Sequence, residues 1–237
     1  MLPLDDLPQW ARTLAVFDTE TTGIDVEQAR IVTASLAVID AGGAVVERTD
    51  WLADPGIEIP APASAVHGIT TERARAEGRP AAEVTAELLA VVAAIVEREI
   101  PLVVYNAPYD LTILNREALR YGLAPLATHG VVVDPLVIDK EVDRYRRGKR
   151  TLEVASQHYG VVLSAAHDAG ADAIAAGHLA QAIARTFAAK LPESGVELHR
   201  MQVNWALSQA ESFTMYMRKE RDPNFTANGE WPLRSAP

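Results

Sequence analysis

Short apolar runs separated by turn residues occupy the first fifty positions of the chain. Residues 13–17 form a run rich in β-forming side chains, which is typical of a buried strand. Two further runs, at 30–39 and 44–52, flank an alanine-glycine-glycine turn at 41–43. The pattern predicts three strands in an antiparallel meander. Residues 54–69 hold three prolines and are expected to form a loop.

From residue 80 onward the apolar residues recur at helical spacing. The clearest case is the segment 81–99, whose apolar face includes Val84, Leu88, Val91, Val92 and Ile95. Two more apolar runs, at 101–105 and 130–133, predict a fourth and a fifth strand. Further helices are expected at 108–121, 135–145, 151–159 and 170–189. This order predicts an α/β fold with a five-stranded mixed sheet and helices on both faces.

Breaks in the pattern divide the chain into three parts. Residues 1–12 form an N-terminal lead, and residues 13–189 form one domain, which suits a chain of 237 residues. A leucine-proline pair at 191–192 interrupts the pattern, and the segment 190–237 holds five of the fourteen aromatic residues. We interpret this segment as a helical C-terminal extension that docks on the domain.

The composition excludes several classes of protein. Hydrophobic residues make up 49% of the chain, so a packed core is expected and wholesale disorder is excluded. There is no cysteine, which excludes disulfide scaffolds, thiolate metal sites and a cysteine nucleophile. No segment resembles a targeting sequence, and the longest apolar run, at 88–96, is too short to span a membrane. We therefore expect a soluble cytoplasmic protein with no membrane partner.

The net charge of −10 argues against a general affinity for nucleic acid, because phosphates select for a positive surface. A nucleic-acid function would need bound metal or a local basic patch. One such patch lies at 140–150, where two acidic residues accompany six basic ones: Lys140, Arg144, Arg146, Arg147, Lys149 and Arg150. The patch is interpreted either as a clamp on the phosphates of a strand or as a solvated helix end with cations near its C-terminus.

Acidic residues at the ends of the predicted elements are the first sign of chemistry. Asp18 and Glu20 follow the first apolar run two residues apart, and the strand repeat places both on one face. Two adjacent carboxylates repel each other unless a cation lies between them, and oxygen ligands suit Mg²⁺ or Mn²⁺. The alternative is a polar strand end that runs into a threonine-threonine-glycine turn.

Two further motifs carry a carboxylate at the start of a predicted helix. Asn106 and Asp110 follow the fourth strand, where Asn106 can cap the helix and Asp110 can interact favourably with the helix dipole. Asp172 lies in the first turn of the last predicted helix of the domain, five residues after His167. A capped helix start is the alternative interpretation of both motifs, and a first-turn aspartate can also face a metal.

Taken in order, these motifs resemble those of the DEDD-type 3′–5′ exonucleases of the histidine subgroup, and the chain is similar to the proofreading epsilon subunit of bacterial DNA polymerase III. Residues 17–23 and 167–173 match the first and third family motifs in full. Residues 106–110 match the second motif, with Tyr109 in place of the usual phenylalanine. A short segment at 67–70 is similar to a substrate-contacting segment of the family. The resemblance covers about residues 12–189.

The resemblance implies a ribonuclease H-like fold and a metal-dependent hydrolase. Four carboxylates would hold two Mg²⁺ or Mn²⁺ ions: Asp18, Glu20, Asp110 and Asp172. His167 would be the general base that deprotonates the attacking water. A second group of residues would contact the substrate: Thr21, Thr22, Gly23, His67, Asn106 and Tyr109.

The expected function is therefore a 3′–5′ exonuclease that hydrolyses DNA, preferably at single-stranded 3′ ends, to nucleoside monophosphates. The same chemistry on short RNA is one alternative, and a non-catalytic module that binds nucleic acid is another. A phosphatase with Asp18 as its nucleophile is disfavoured, because position 20 is glutamate and the lysines lack a matching context. The segment 190–237 is a possible attachment point for a polymerase partner.

Overall fold

A mixed sheet of six strands lies at the centre of the structure, which is a computed structural model that describes residues 6–126, 130–163 and 168–235. In chain order its strands are β1 (Leu14–Thr21), β2 (Ile31–Ile39), β3 (Val45–Asp54), β4 (Arg79–Pro80), β5 (Leu102–Val103) and β6 (Val132–Val133). They lie in the order β4-β3-β2-β1-β5-β6. The pairs β1–β2 and β2–β3 are antiparallel, which confirms the predicted meander. The pairs β1–β5 and β5–β6 are parallel.

The sheet has six strands where five were predicted. The additional strand, β4, is only two residues long and pairs with the last two residues of β3. Both of its residues are exposed, so it lacks the apolar run by which a sequence pattern reveals a strand. The loop predicted at 54–69 is also partly wrong, because residues 61–67 form a helix. Its proline lies in the first turn, where a missing N–H costs nothing.

Eight α-helices surround the sheet in the part of the chain that the structure describes. They are α1 (Ala61–His67), α2 (Thr71–Glu77), α3 (Ala81–Glu97), α4 (Ala107–Arg120), α5 (Pro135–Val142), α6 (Leu152–His158), α7 (Ala169–Thr186) and α8 (Gly195–Glu220). The long helices predicted from the apolar spacing are confirmed to within a few residues. None of the described helices combines the length and the apolar character needed to cross a membrane.

Strand β1 is buried on both faces, which explains its continuous apolar run. On one face Ala15 and Phe17 belong to a core that includes residues of α3 and α4. On the other face Leu14 and Val16 belong to a core that includes residues of α7. Helix α7 packs closely because Gly177 faces the sheet, where a Cβ atom would come within 2.5 Å of a methyl carbon of Val16. The α/β layers therefore hold the end of β1 between α4 and α7.

Helix α8 covers the edge strand β6. The N–H of Val132 donates to Nδ1 of His199 at 3.0 Å, and the carbonyl of Val132 accepts from Nε2 of Gln202 at 3.0 Å. The N–H of Asp134 donates to Oε1 of the same glutamine at 2.7 Å. Side chains of α8 thus satisfy backbone groups that an edge strand would otherwise expose. The domain boundaries placed at residues 12 and 189 stay predictions.

Candidate active site

Three carboxylates converge where β1 ends beside the first turn of α7. Asp18 and Glu20 lie two residues apart on β1, and Asp172 lies in the first turn of α7. One oxygen from each carboxylate lies within 4.8 Å of the others. The local sequence explains the start of α7, because the side chain of Asp168 caps it by accepting from the N–H of Ala171 at 2.9 Å.

A fourth carboxylate reaches this cluster from the opposite side of the sheet. Asp110 lies in the first turn of α4 and is 2% exposed. Its Oδ1 accepts from the N–H of Thr19 at 3.0 Å and from the hydroxyl of Thr19 at 2.6 Å. Thr19 lies between Asp18 and Glu20 on β1, so these bonds tie α4 to the strand that carries the first two carboxylates. We call Asp18, Glu20, Asp110 and Asp172 the carboxylate cluster.

The carboxylate cluster resists full ionisation. Burial raises the pKa of Asp18 well above its ordinary value, and the charges of Asp110, Glu20 and Asp172 raise it further. Burial, followed by the charges of Asp172 and Asp110, raises the pKa of Glu20 to about 8. Burial raises the pKa of Asp110 to about 7, although the hydrogen bonds from Thr19 oppose the rise. A divalent cation between these oxygens would relieve the repulsion, so the donor set fits Mg²⁺ or Mn²⁺.

A ring of short contacts fixes the turn that follows β1. The hydroxyl of Tyr109 lies 2.5 Å from Oγ1 of Thr21 and 2.6 Å from the carbonyl oxygen of Gly23. Oγ1 of Thr21 lies 2.9 Å from the same carbonyl. The two hydroxyls carry one hydrogen each, so only two of these three contacts can be hydrogen bonds at a time. A phenylalanine at position 109 would break the ring.

The structure brings His67 to the same turn. It is the last residue of α1, and its Nδ1 accepts from the N–H of Ile69 at 3.1 Å. Burial lowers the pKa of His67, and the nearby backbone of Thr21 opposes that shift. The ring therefore lies against the end of β1. Thr22 also stabilises the turn, since its hydroxyl accepts from the N–H of Arg30 at 3.0 Å.

Asn106 occupies the N-cap position of α4, but its side chain does not cap the helix as the alternative interpretation of this motif supposed. Its backbone is left-handed, with φ of 65°, and its side chain caps no N–H among the described residues. The N–H groups of Asn106 and Ala107 donate instead to the carboxylate of Asp134, each at 3.0 Å. The cap comes from a residue 28 positions later in the chain, so local sequence could not reveal it. The side chain of Asn106 is left exposed beside the start of α4.

Asp134 is a buried carboxylate at the start of α4 that the sequence did not single out. It follows β6, has no exposed surface and also caps α5 through the N–H of Leu136. Burial raises the pKa of Asp134, and its hydrogen bonds oppose the rise. An aspartate directly before Pro135 is a recognisable helix start, but that signal indicates only the cap of α5. Nothing in the local pattern indicates its bonds to α4.

Three arginines of the basic patch at 140–150 pair with carboxylates of the same chain. Arg146 and Arg150 both form ion pairs with the buried carboxylate of Asp139. Arg144 pairs with Glu141. The ion pairs of Arg146 and Arg150 favour a structural role for these two side chains over a clamp on phosphates. His167, the predicted general base, lies outside the described residues.

The sequence matches the family of exonucleases over residues 15–180, well over half of the chain. The chain therefore belongs to the exonuclease family. It is 37% identical over 122 residues to a DNA polymerase III subunit epsilon-like protein of Rhodobacter capsulatus, covering 51% of this chain and 16% of the relative. It is 29% identical over 157 residues to the DNA polymerase III subunit epsilon of Treponema pallidum, covering 66% of this chain and 69% of the relative.

Solved structures show the same fold. The structure of E. coli exonuclease I in complex with a dA16 oligonucleotide superposes with a TM-score of 0.62 at 22% identity, covering 73% of this chain and 40% of that one. The fold is thus the ribonuclease H-like fold of these exonucleases. The chain spans less than two thirds of the length of the Rhodobacter relative and of exonuclease I.

Proposed function

We propose that this chain is a metal-dependent 3′–5′ exonuclease that removes nucleotides from single-stranded DNA ends. The proposal rests on three carboxylates of β1 and α7 that converge beside a turn held by Tyr109. Asp110 of α4 is bound to Thr19 between two of them, and its charge raises their pKa values. Membership of the exonuclease family supports the same chemistry. The neighbouring turn and His67 suit contact with a terminal nucleotide.

The carboxylate cluster would hold Mg²⁺ or Mn²⁺, and we propose two ions. When bound, the metal would neutralise charge on the phosphate and lower the pKa of a bound water. Asp110 and Thr19 hold α4 against β1, so the four carboxylates are arranged before any substrate arrives. His167, five residues before Asp172, is proposed to accept the proton of the attacking water.

The turn after β1 would receive the 3′ end. The contacts among Tyr109, Thr21 and Gly23 make this turn a rigid surface beside the carboxylate cluster, against which the 3′ end of the nucleic acid can lie. Rigid positioning of the terminal nucleotide lowers the entropic cost of bringing its phosphodiester bond to the site. Asn106, exposed at the start of α4, is proposed to contact the same nucleotide.

DNA is the proposed substrate because the exonuclease I structure holds an oligodeoxynucleotide. In addition, one relative is named a DNA polymerase III subunit epsilon and another an epsilon-like protein. The same names support a DNA polymerase as a partner. Co-elution of the chain with a replicative polymerase in size-exclusion chromatography tests that association, and separate elution at micromolar concentrations would contradict it.

A gel assay with 5′-labelled strands tests the activity. Single-stranded DNA and RNA of one sequence are incubated with Mg²⁺, with Mn²⁺ or with a chelator. We expect DNA to shorten stepwise from its 3′ end in the presence of metal and to stay intact with chelator. Asp172→Asn should abolish the ladder. The matched control is Glu197→Gln, which changes an exposed first-turn carboxylate of α8 and should leave the ladder unchanged.

Each outcome of this assay has a definite meaning. If RNA is shortened faster than DNA, the substrate is RNA and the proposed reaction is unchanged. Release of internal fragments would make the chain an endonuclease. An intact strand under all conditions, from protein that melts cooperatively, would overturn the proposed activity.

A further inference from the structure

Asp134 is a junction of four hydrogen bonds outside the carboxylate cluster. Its Oδ1 accepts from the N–H groups of Asn106 and Leu136, each at 3.0 Å. Its Oδ2 accepts from the N–H of Ala107 at 3.0 Å and from the indole Nε1 of Trp231 at 3.2 Å. A carboxylate with no exposed surface is stable in a protein only where such donors surround it. This one joins β6, the starts of α4 and α5, and the C-terminal segment.

The segment 231–235, which we call the C-terminal strap, lies along α4. The ring of Trp231 is 7% exposed, and its N–H reaches Asp134 at the start of the helix. The N–H of Arg234 donates to the hydroxyl of Thr112 at 3.0 Å. Further along the helix, Arg116 donates through Nη2 to the carbonyl of Ser235 at 2.7 Å. The strap therefore holds α4 at three points: indirectly at its start, through Asp134, and directly at Thr112 and Arg116.

Asp110 lies between the first two of these points. Its carboxylate must meet both the N–H and the hydroxyl of Thr19 to stay beside Asp18 and Glu20. A rotation or a slide of α4 along its axis would separate these groups, since hydrogen bonds weaken steeply with distance and angle. The bonds of Asp134 and of the strap oppose both movements.

We propose that Asp134 and Trp231 are positioning residues for Asp110. They hold the start of α4 so that the carboxylate of Asp110 stays in the carboxylate cluster. This inference rests on the proposed function, because it assigns the C-terminal strap to the metal site of the proposed exonuclease. Outer contacts of this kind typically change metal affinity or activity by about 10–100-fold when they are removed.

Isothermal titration with Mn²⁺ tests the inference without substrate. Trp231→Phe keeps an aromatic ring and removes the indole N–H, and we expect it to weaken Mn²⁺ binding about tenfold, at the lower end of that range. Asp134→Asn turns one acceptor into a donor that faces other donors, and we expect a loss of about 10–100-fold. Trp51→Phe is the matched control, because Trp51 is also buried and its Nε1 also donates to a carboxylate, that of Glu87, at 3.0 Å.

The thermal melts of the same proteins separate positioning from stability. Positioning predicts weaker Mn²⁺ binding in Trp231→Phe than in Trp51→Phe when both are measured well below their melting temperatures. Equal Mn²⁺ affinity in wild type and Trp231→Phe overturns the inference, even if the melting temperature falls. If Asp134→Asn does not fold, Trp231→Phe decides the question alone.

Failure of the proposed function gives a different result. A wild-type protein that binds Mn²⁺ but shortens no strand would overturn the exonuclease activity, while the Mn²⁺ titrations would still decide the role of the strap. A wild-type protein that binds no Mn²⁺ would overturn both.

Discussion

Oδ1 of Asp110 accepts two hydrogen bonds from a single residue, Thr19, which lies between Asp18 and Glu20 on β1. One comes from the backbone N–H and the other from the hydroxyl. The contact links a helix and a strand that are 91 residues apart in the chain. This contact holds Asp110 of the second motif beside Asp18 and Glu20 of the first motif through protein groups alone, without a bound metal.

Thr19→Val should weaken the metal site. Valine keeps the shape of threonine but removes the hydroxyl bond, and a hydrogen bond to a charged group contributes about 1.5–3 kcal/mol. We expect the Mg²⁺ concentration for half-maximal cleavage to rise about tenfold. The matched control is Thr85→Val, a buried threonine in α3 whose hydroxyl donates to the carbonyl of Ala81. An unchanged Mg²⁺ midpoint in Thr19→Val would show that the backbone bond alone holds Asp110.

Tyr109→Phe should loosen the turn after β1. The variant introduces the phenylalanine that is usual at this position of the exonuclease motif. It removes the hydroxyl that contacts Thr21 and Gly23. We expect KM for a single-stranded oligonucleotide to rise about fivefold with kcat nearly unchanged, since one neutral hydrogen bond contributes about 1 kcal/mol. Tyr159→Phe, which loses a hydroxyl bond to Asp139, is the control. A fall in kcat with constant KM would instead place the Tyr109 hydroxyl in the chemical step.

The metal-free protein should lose stability as the pH rises. Folding raises the pKa of Glu20 from 4.5 to about 8 and that of Asp110 from 3.8 to about 7. Between these values the folded chain holds protons that the unfolded chain has released, so the free energy of unfolding falls with increasing pH. We expect the melting temperature in chelator to fall between about pH 5 and pH 8. Saturating Mg²⁺ should remove most of this fall.

Asp18→Asn provides the control for that titration. It removes one of the repelling carboxylates, so its melting temperature in chelator at pH 8 should exceed that of the wild type. The same variant should bind Mn²⁺ poorly and cleave no DNA. If the wild type instead grows more stable from pH 5 to pH 8 in chelator, the carboxylates do not repel each other as the structure implies.

His167→Ala should slow cleavage while leaving strand binding intact. A general base typically contributes about 10²–10⁴-fold to a rate, so single-turnover cleavage should fall within that range. Binding of a labelled oligonucleotide, measured by fluorescence anisotropy with Ca²⁺ in place of Mg²⁺, should change less than about threefold. His158→Ala, which alters an exposed histidine at the end of α6 and outside the three motifs, is the control. Full activity in His167→Ala would remove this residue from the mechanism.

Local patterns predicted the parts of the molecule whose causes are local. The apolar run of β1, the helical spacing of α3 and the acidic residues at element ends all follow from neighbours within a few positions. Strand β4 and helix α1 escaped this approach. Strand β4 consists of two exposed residues whose pairing depends on β3. Helix α1 was mistaken for a loop because of its proline, which the first turn of a helix tolerates.

Long-range hydrogen bonds account for the rest. The strand repeat placed Asp18 and Glu20 on one face, and Asp110 and Asp172 stood out as first-turn aspartates. The resemblance to the exonuclease family joined the four in one expected metal site. Only the tertiary structure decided that Thr19 holds Asp110, that Asp134 rather than Asn106 caps α4, and that Asp139 engages Arg146 and Arg150. A buried carboxylate takes whichever donors the packed chain brings within about 3 Å, and no local period encodes which distant residues those are.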